Sequence, residues 1–265
     1  MSQLSLKSVS RSFGAYKALS NISLEVQAGE FISIVGPSGC GKSTLLQIIG
    51  GLLMPSDGTV ALGGRPVTSP RREMIYLFQQ YNRSLFPWRT VRRNIAFGLE
   101  RFRLGRAEID RKSNEYIELV GLEAFAGFFP HQLSGGMQQR VTVARALAYG
   151  ADVLLMDEPF GSLDAQTRAG LQDLLLKLWQ ERRFTVLFVT HDIEEAIYLG
   201  QKILILSKAP ATIQAVVESG LEYPRHQIRS KETSQFLTRR REVYSHVFPH
   251  ALEADEAGAK AAVHK

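Results

Sequence analysis

Gly36 to Thr44 reads GPSGCGKST, and the rest of the chain is organised around it. The stretch fits G-x-x-x-x-G-K-[ST], with Gly36, Gly41, Lys42 and Ser43 at the fixed places. Before it, Glu30 to Val35 (EFISIV) is apolar and β-branched, as a buried strand is; after it, Leu45 to Ile49 has no helix breaker. Strand, glycine loop and helix start give the pattern its context. Glycines let the backbone curl so that several N–H groups face one concavity, and a helix N-terminus adds partial positive charge. Lys42 is placed to reach outer phosphates and Ser43 to ligate magnesium. A tight strand-to-helix turn that binds nothing is the plainer reading, but a turn has no need of Lys and Ser at that offset.

The chain has 265 residues, 45% apolar and 22% charged, which suits one large globular domain or two lobes. No apolar run approaches the roughly 18 residues that span a bilayer, and MSQLSLKSVSRSF lacks the apolar core of a signal peptide. A cytosolic protein, held at a membrane only by another chain, is the expectation. The single cysteine, Cys40, excludes an internal disulfide and lies inside the phosphate loop, where packing is its expected role. A net charge of +6 suits anionic partners. The charge is scattered, however, and the short run Arg239-Arg240-Arg241 reads as a solvated helix face, so nucleic acid is not indicated.

Outward from the loop, residues 1–28 alternate as two strands around a polar turn at Gly14 to Lys17. Phe13 precedes that turn and could stack on a base or serve as an ordinary edge aromatic. Met74 to Phe78 (MIYLF) reads as a strand ending at Gln79, an amide that near a phosphate site can meet magnesium or an attacking water. Composition changes over 81–149, where helices are expected at Val91 to Leu99, Arg106 to Val120 and Gly136 to Ala148, a lobe inserted into an α/β core. Leu85 to Trp88 (LFPW) places large apolar side chains on a loop, as a docking patch or an anchor into its own lobe. In LSGGM (Leu133 to Met137), Ser134 is an N-cap candidate and the two glycines expose backbone N–H groups. Two phosphate-facing helix starts in one chain suggest that each closes on a nucleotide held by the other copy of a dimer. DVLLMD (Asp152 to Asp157) is a buried strand ending in an acid, and Glu158 follows. Asp157 would hold magnesium and Glu158 would polarise an attacking water. A helix is expected from Ser162 through Gln180, then a strand TVLFVT (Thr185 to Thr190) ending in His191, a residue able to sense a terminal phosphate. A basic helix near Ser234 to Val247 precedes a tail with no packing pattern.

Five stretches now stand in one order: GPSGCGKST, FQQ, LSGGMQQR, VLLMDEP and Thr190-His191. Together they resemble the nucleotide-binding subunit of an ABC transporter, over about residues 3 to 220. The resemblance implies an α/β fold, a P-loop NTPase (RecA-like) core with an N-terminal antiparallel β subdomain and an inserted α-helical subdomain. It implies segments 1–80, 81–149, 150–225 and 226–265: β subdomain with the first core half, helical subdomain, second core half, and terminal helix with tail. The cofactors implied are ATP and Mg2+. The nucleotide loop would comprise Gly36, Pro37, Ser38, Gly39, Cys40, Gly41, Lys42, Ser43 and Thr44, with Phe13 at the adenine. Gln79 falls at the Q-loop and Asp157 and Glu158 at the Walker B pair; Ser162 to Asp164 fall at the D-loop and His191 at the switch histidine. Ser134, Gly135 and Gly136 match the signature, which in that family acts on the partner's nucleotide. The metal ligands implied are Ser43, Gln79 and Asp157; the catalytic set is Glu158, His191 and Gln79. The partners implied are a second copy in a head-to-tail dimer, two transmembrane permease subunits and, indirectly, a solute-binding protein, with no nucleic acid, at the cytoplasmic face of the inner membrane. LFPWRTV, DEPFGSLDAQTR, LLLKLWQE and the pair Pro224-Arg225 are similar to the nitrate, sulfonate and taurine importer group, whose cargo is a small anionic solute. The alternative is a soluble ABC-type ATPase acting on nucleic acid or ribosomes; the long coiled coil or second phosphate loop of such proteins is missing here.

Overall fold

The computed structural model describes residues 4–78 and 84–248. Two sheets and seven α-helices make up this part of the chain. The order is β1 (Leu4–Phe13), β2 (Tyr16–Val26), β3 (Phe31–Val35), α1 (Lys42–Ile49), β4 (Asp57–Leu62), β5 (Arg65–Pro66) and β6 (Met74–Leu77). Then come α2 (Val91–Leu99), α3 (Arg106–Leu119), α4 (Gly135–Ala148), β7 (Val153–Asp157) and α5 (Ala165–Arg182). The chain continues through β8 (Thr185–Val189), α6 (Ile193–Leu199), β9 (Lys202–Leu206), β10 (Ile213–Glu218) and α7 (Ser234–Val247).

The larger sheet has the order β10-β9-β3-β8-β7-β6, parallel except for β10 at its edge. Its central strands are buried on both faces, and alternate residues enter different cores, as the two-residue period of a strand requires. Ile32, Ile34, Leu187, Val189, Leu204 and Leu206 face α1 and the smaller sheet. Phe31, Val35, Val186, Phe188, Ile203 and Ile205 face the helices α5, α6 and α7. The smaller sheet, β2-β1-β4-β5, is antiparallel. It joins the larger one at Ala211, whose N–H donates to the Ala18 carbonyl and whose carbonyl accepts from Ser20 N–H.

The helices α2, α3 and α4 form a third core of their own around Val91, Ile95, Leu99, Ile117 and Val141. Helix α4 belongs to two cores: Val141, Ala144 and Ala148 face α2 and α3, while Val143, Ala146 and Leu147 face the central sheet. This double membership accounts for the apolar run VTVARALA in a helix with no wide polar face. The helical and strand expectations hold to within a residue or two at most ends, with α5 running to Arg182 and β6 stopping at Leu77. The run Arg239 to Arg241 is more than a solvated face. Arg240 bridges to Glu194 on α6 at 2.9 Å, and Arg239 pairs with Glu242 at 2.7 Å.

Candidate functional site

The glycine loop lies between β3 and α1 and brings its backbone where side chains cannot follow. A Cβ on Gly36 would stand 2.7 Å from the Leu206 carbonyl oxygen, and one on Gly41 would stand 2.9 Å from Leu19 Cδ2. Gly39 and Gly41 have φ of +73° and +110°, the left-handed region that glycine occupies at little cost. Gly41 caps α1 without a side-chain hydrogen bond, so the first N–H groups of the helix are left to the loop hollow. Lys42 is buried; its Nζ donates to the carbonyls of Gly36 at 2.8 Å and Pro37 at 3.1 Å, arching the cation over the loop. Cys40 lies beneath, its thiol pushed up by burial against the opposing pull of Lys42. Ser38, Gly39 and Ser43 are exposed, and Thr44 is half-buried on the first turn of α1.

Parallel pairing of β7 with β8 carries Asp157 level with Val189, beside the loop at the end of β3. Ser43 Oγ donates to Asp157 Oδ1 at 3.0 Å, and the Tyr76 hydroxyl donates to Oδ2 at 2.9 Å. Burial is the largest influence on the Asp157 carboxyl and raises its pKa; the two hydroxyl donors and Lys42 oppose this, while the neighbouring Glu158 charge adds to it. Burial, then the Asp157 charge, pushes the Tyr76 phenol far above its ordinary range, so its hydroxyl stays a donor. Glu158 sits at φ +46°, an uncommon setting for a side chain of its length, while its N–H donates to the Val189 carbonyl at 3.0 Å. That twist turns the Glu158 carboxylate to His191, whose Nδ1 lies 3.3 Å from Oε2.

The turn that carries His191 is braced from below. Thr190 Oγ1 accepts from Asp192 N–H and donates to Glu195 Oε2 at 2.5 Å; Glu195 Oε1 accepts from Gln172 Nε2 on α5 at 2.8 Å. Burial raises the Glu195 pKa, with Thr190 and Gln172 holding it down. Asp192 caps α6, and Arg168 of α5 approaches it at 3.7 Å. At the far end of α6, Arg225 is only 7% exposed and donates to the carbonyls of Ile197, Tyr198 and Gly200. Composition and spacing did not single out Tyr76, Glu195 or Gln172. A tyrosine inside an apolar strand beside an acid-ending strand was the available signal for the first, because a buried phenol needs a partner.

The remaining expected residues are dispersed. Ser134 caps α4, its Oγ accepting from Met137 N–H at 3.3 Å. Ser134 and Gly135 are exposed, whereas Gly136 is buried: a Cβ there would lie 2.2 Å from Thr167 Cγ2 on the first turn of α5. Phe13 is exposed at the end of β1, with the Arg11 guanidinium 4.5 Å over its ring. Gln79 lies outside the described residues, as does the tail beyond Phe248. A groove of ≈ 300 Å³ runs between β6 and the helices, lined by Tyr76, Phe78, Phe86, Phe97 and Arg145. Trp88 stands 71% exposed beside Phe86. No helix among the described residues is long and apolar enough to cross a membrane, and none of their His, Cys, Asp and Glu side chains form a cluster of three or more able to hold a metal ion.

Known proteins resemble this chain in sequence and in fold. The ABC transporter family profile matches residues 19–161. An uncharacterised ABC transporter ATP-binding protein of Methanocaldococcus jannaschii is 48% identical over 227 residues, 86% of this chain and 83% of that protein. An aliphatic sulfonates import ATP-binding protein of Bacillus thuringiensis subsp. konkukian is 44% identical over 237 residues, 87% of this chain and 92% of that protein. Among solved structures, a dimeric ATP-binding cassette in a post-hydrolysis state bound to ADP and Pi superposes with a TM-score of 0.70 at 36% identity, covering 82% of this chain and 98% of that one. A glycine cradle facing an acid pair and a histidine at the ends of parallel strands is thus joined to extended likeness in sequence and in fold. The chain belongs to the ABC transporter family, as an ATP-binding subunit that couples ATP hydrolysis to transport.

Proposed function

We propose that this ATPase drives an importer for a small anionic solute such as nitrate, a sulfonate or taurine, from the cytoplasmic face of the inner membrane. The observation that carries the catalytic part is the double pairing Ser43–Asp157 and Glu158–His191 on the edge of the sheet where the glycine loop lies. In this reading the N–H groups of residues 36–44 and Lys42 bind the triphosphate, exchanging the carbonyl contacts of the lysine for phosphate oxygens, and Phe13 stacks on adenine. A hydroxyl beside a carboxylate is a hard-oxygen donor set that fits Mg2+, which binds through one or two such groups plus substrate phosphates. Ser43 and Asp157 hold it, with Gln79, and when bound it neutralises charge on the phosphate oxygens. Glu158 accepts the proton of the attacking water, and His191 steadies that carboxylate from 3.3 Å.

Ser134, Gly135 and Gly136 serve the nucleotide of a second copy in a head-to-tail dimer. Two permease subunits dock their cytoplasmic segments in the groove by Phe78, Phe86 and Trp88, a solute-binding protein supplies the cargo, and no nucleic acid takes part. The chain divides functionally at about residues 80, 149 and 225. Support for the cargo comes from the aliphatic sulfonates import protein, which matches most of this chain. Two measurements test the reading. The purified chain with Asp157→Asn should lose Mg2+-dependent ATP hydrolysis; unchanged turnover would remove the Ser43–Asp157 pair from the chemistry. Cells lacking the chain should fail to take up a labelled short-chain sulfonate, taurine or nitrate; normal uptake of all three would refute the cargo class.

A further inference from the structure

We propose that Tyr76 is a positioning residue for the metal-holding carboxylate: by tying one oxygen of Asp157 it fixes the other against Ser43. The proposal rests on the reading that Ser43 and Asp157 hold Mg2+. A carboxylate on a flexible terminal torsion has two nearly equivalent oxygens and a broad range of orientations. Here each oxygen has its own donor. Ser43 Oγ reaches Oδ1 at 3.0 Å from the head of α1, and the Tyr76 hydroxyl reaches Oδ2 at 2.9 Å from β6. With both donors in place the plane of the carboxylate is set by two different elements, and rotation about its last torsion breaks a hydrogen bond.

The tyrosine is itself held at several points. Its ring packs over Gly50 at the end of α1, where an added Cβ would lie 3.5 Å from Tyr76 Cδ2 and 3.1 Å from Leu155 Cδ1. A side chain at that position would press on Leu155 and meet the ring at ordinary contact distance. On the other side the Phe78 ring lies 4.5 Å away, tilted by 44°. Gln47, also on α1, lies near enough to the hydroxyl to pull its pKa down against the larger upward push of burial and Asp157. A phenol has one proton to give, and here it goes to Asp157 Oδ2. Phenylalanine would keep the shape of this wedge and lose only the tie to Oδ2. The placement also differs in kind from that of a packing tyrosine: the polar tip meets the carboxylate, and the residue lines the groove together with Phe78 and Phe86.

Partners that orient a metal ligand commonly change metal affinity by about 10–100-fold when removed. The test measures binding of a fluorescent ATP analogue to the full chain, first in chelator and then along a Mg2+ titration, with thermal melting alongside. Tyr76→Phe should leave the chelator affinity and the melting temperature near those of the wild type, while the Mg2+ concentration giving half of the metal-dependent gain rises about tenfold. Asp157→Asn should abolish the gain. Should Asp157→Asn abolish it while Tyr76→Phe titrates like the wild type, Tyr76 does not position the carboxylate, though the metal assignment survives. Equal weakening of Tyr76→Phe with and without Mg2+ would make it a packing residue and overturn the proposal. A full metal-dependent gain in Asp157→Asn would remove the assignment and the proposal together.

Discussion

Arg225→Met is expected to destabilise the protein by about 3 kcal/mol, and the figure follows from what the side chain touches. Arg225 is 7% exposed, and no carboxylate among the described residues pairs with it. Its partners are instead the carbonyls at the C-terminal end of α6, at 3.3 Å (Ile197), 2.6 Å (Tyr198) and 3.1 Å (Gly200), together with Ser219 Oγ at 3.0 Å and the Leu221 carbonyl at 3.4 Å. Three of these are short enough to count fully: Tyr198, Gly200 and Ser219. Each loses its donor in a place where water has little access, at about 1 kcal/mol apiece, hence about 3 kcal/mol in all. The cation also complements the negative end of the helix. Against this stands dehydration of the guanidinium, which pulls its pKa down and whose removal returns free energy to the variant. Methionine keeps the volume and the flexible stem, so no cavity enters the balance. Urea denaturation with a shared slope gives the number. A loss below about 1 kcal/mol, or a gain, would show that dehydration cancels the hydrogen bonds, and the account of Arg225 as the anchor of α6 would fall. Because α6 begins two residues after His191, turnover of the folded variant should drop as well.

Further outcomes are expected. Glu158→Gln should bind ATP yet fail to hydrolyse it, and should accumulate as a dimer in size-exclusion chromatography; turnover at the wild-type rate would remove Glu158 as the base. Gly136→Ala should lose about 1–3 kcal/mol through overpacking against Thr167 Cγ2, 2.2 Å from the added Cβ. Adding Thr167→Ser deletes that methyl and should restore most of the loss, and strict additivity in the double mutant would rule the contact out. The pKa of Glu195 is raised in the fold, so its unfolded carboxyl ionises first. Wild-type stability relative to Glu195→Gln therefore falls as pH climbs above about 4.3 and levels off past the raised folded pKa. A difference constant from pH 4 to 8 would contradict this.

Much of the site was legible because short-range rules set it. Gly36 to Thr44 carries its own geometry, and Asp157 with Glu158 end an apolar run that could only be a buried strand. Helices such as α2 and α7 follow from periodicity and breakers, and their ends match the expectation. What stayed hidden depends on partners distant in the chain. The Tyr76 hydroxyl needs Asp157, 81 positions away, and Gln172 needs Glu195, 23 away. The two-residue strand β5 exists only through pairing with β4, and nothing in Arg65-Pro66 announces it. The basic run Arg239 to Arg241 looks solvated in sequence because Glu194, the acidic partner of Arg240, sits on another helix.

The contacts also bear on why two faces of one chain would act together. Gly136 packs so close to Thr167 that there is no room for a Cβ between them, so a movement of the start of α4 toward α5 meets a steric penalty. Helix α5 is capped by Asp164 and tied to the His191 turn through Arg168–Asp192 and Gln172–Glu195. The exposed pair Ser134 and Gly135 and the His191 turn are therefore linked through the contacts of one helix, α5. In the proposed dimer, nucleotide held by the partner presses on the first face, and His191 faces this chain's own nucleotide. A displacement of α4 by the partner's ligand would then reach His191 through a steric contact and a buried hydrogen-bond network, both of which resist small adjustment. Loosening that path with Gln172→Ala should leave nucleotide binding to the single chain intact and lower turnover in the dimer, whereas unchanged turnover would show that the two faces act independently.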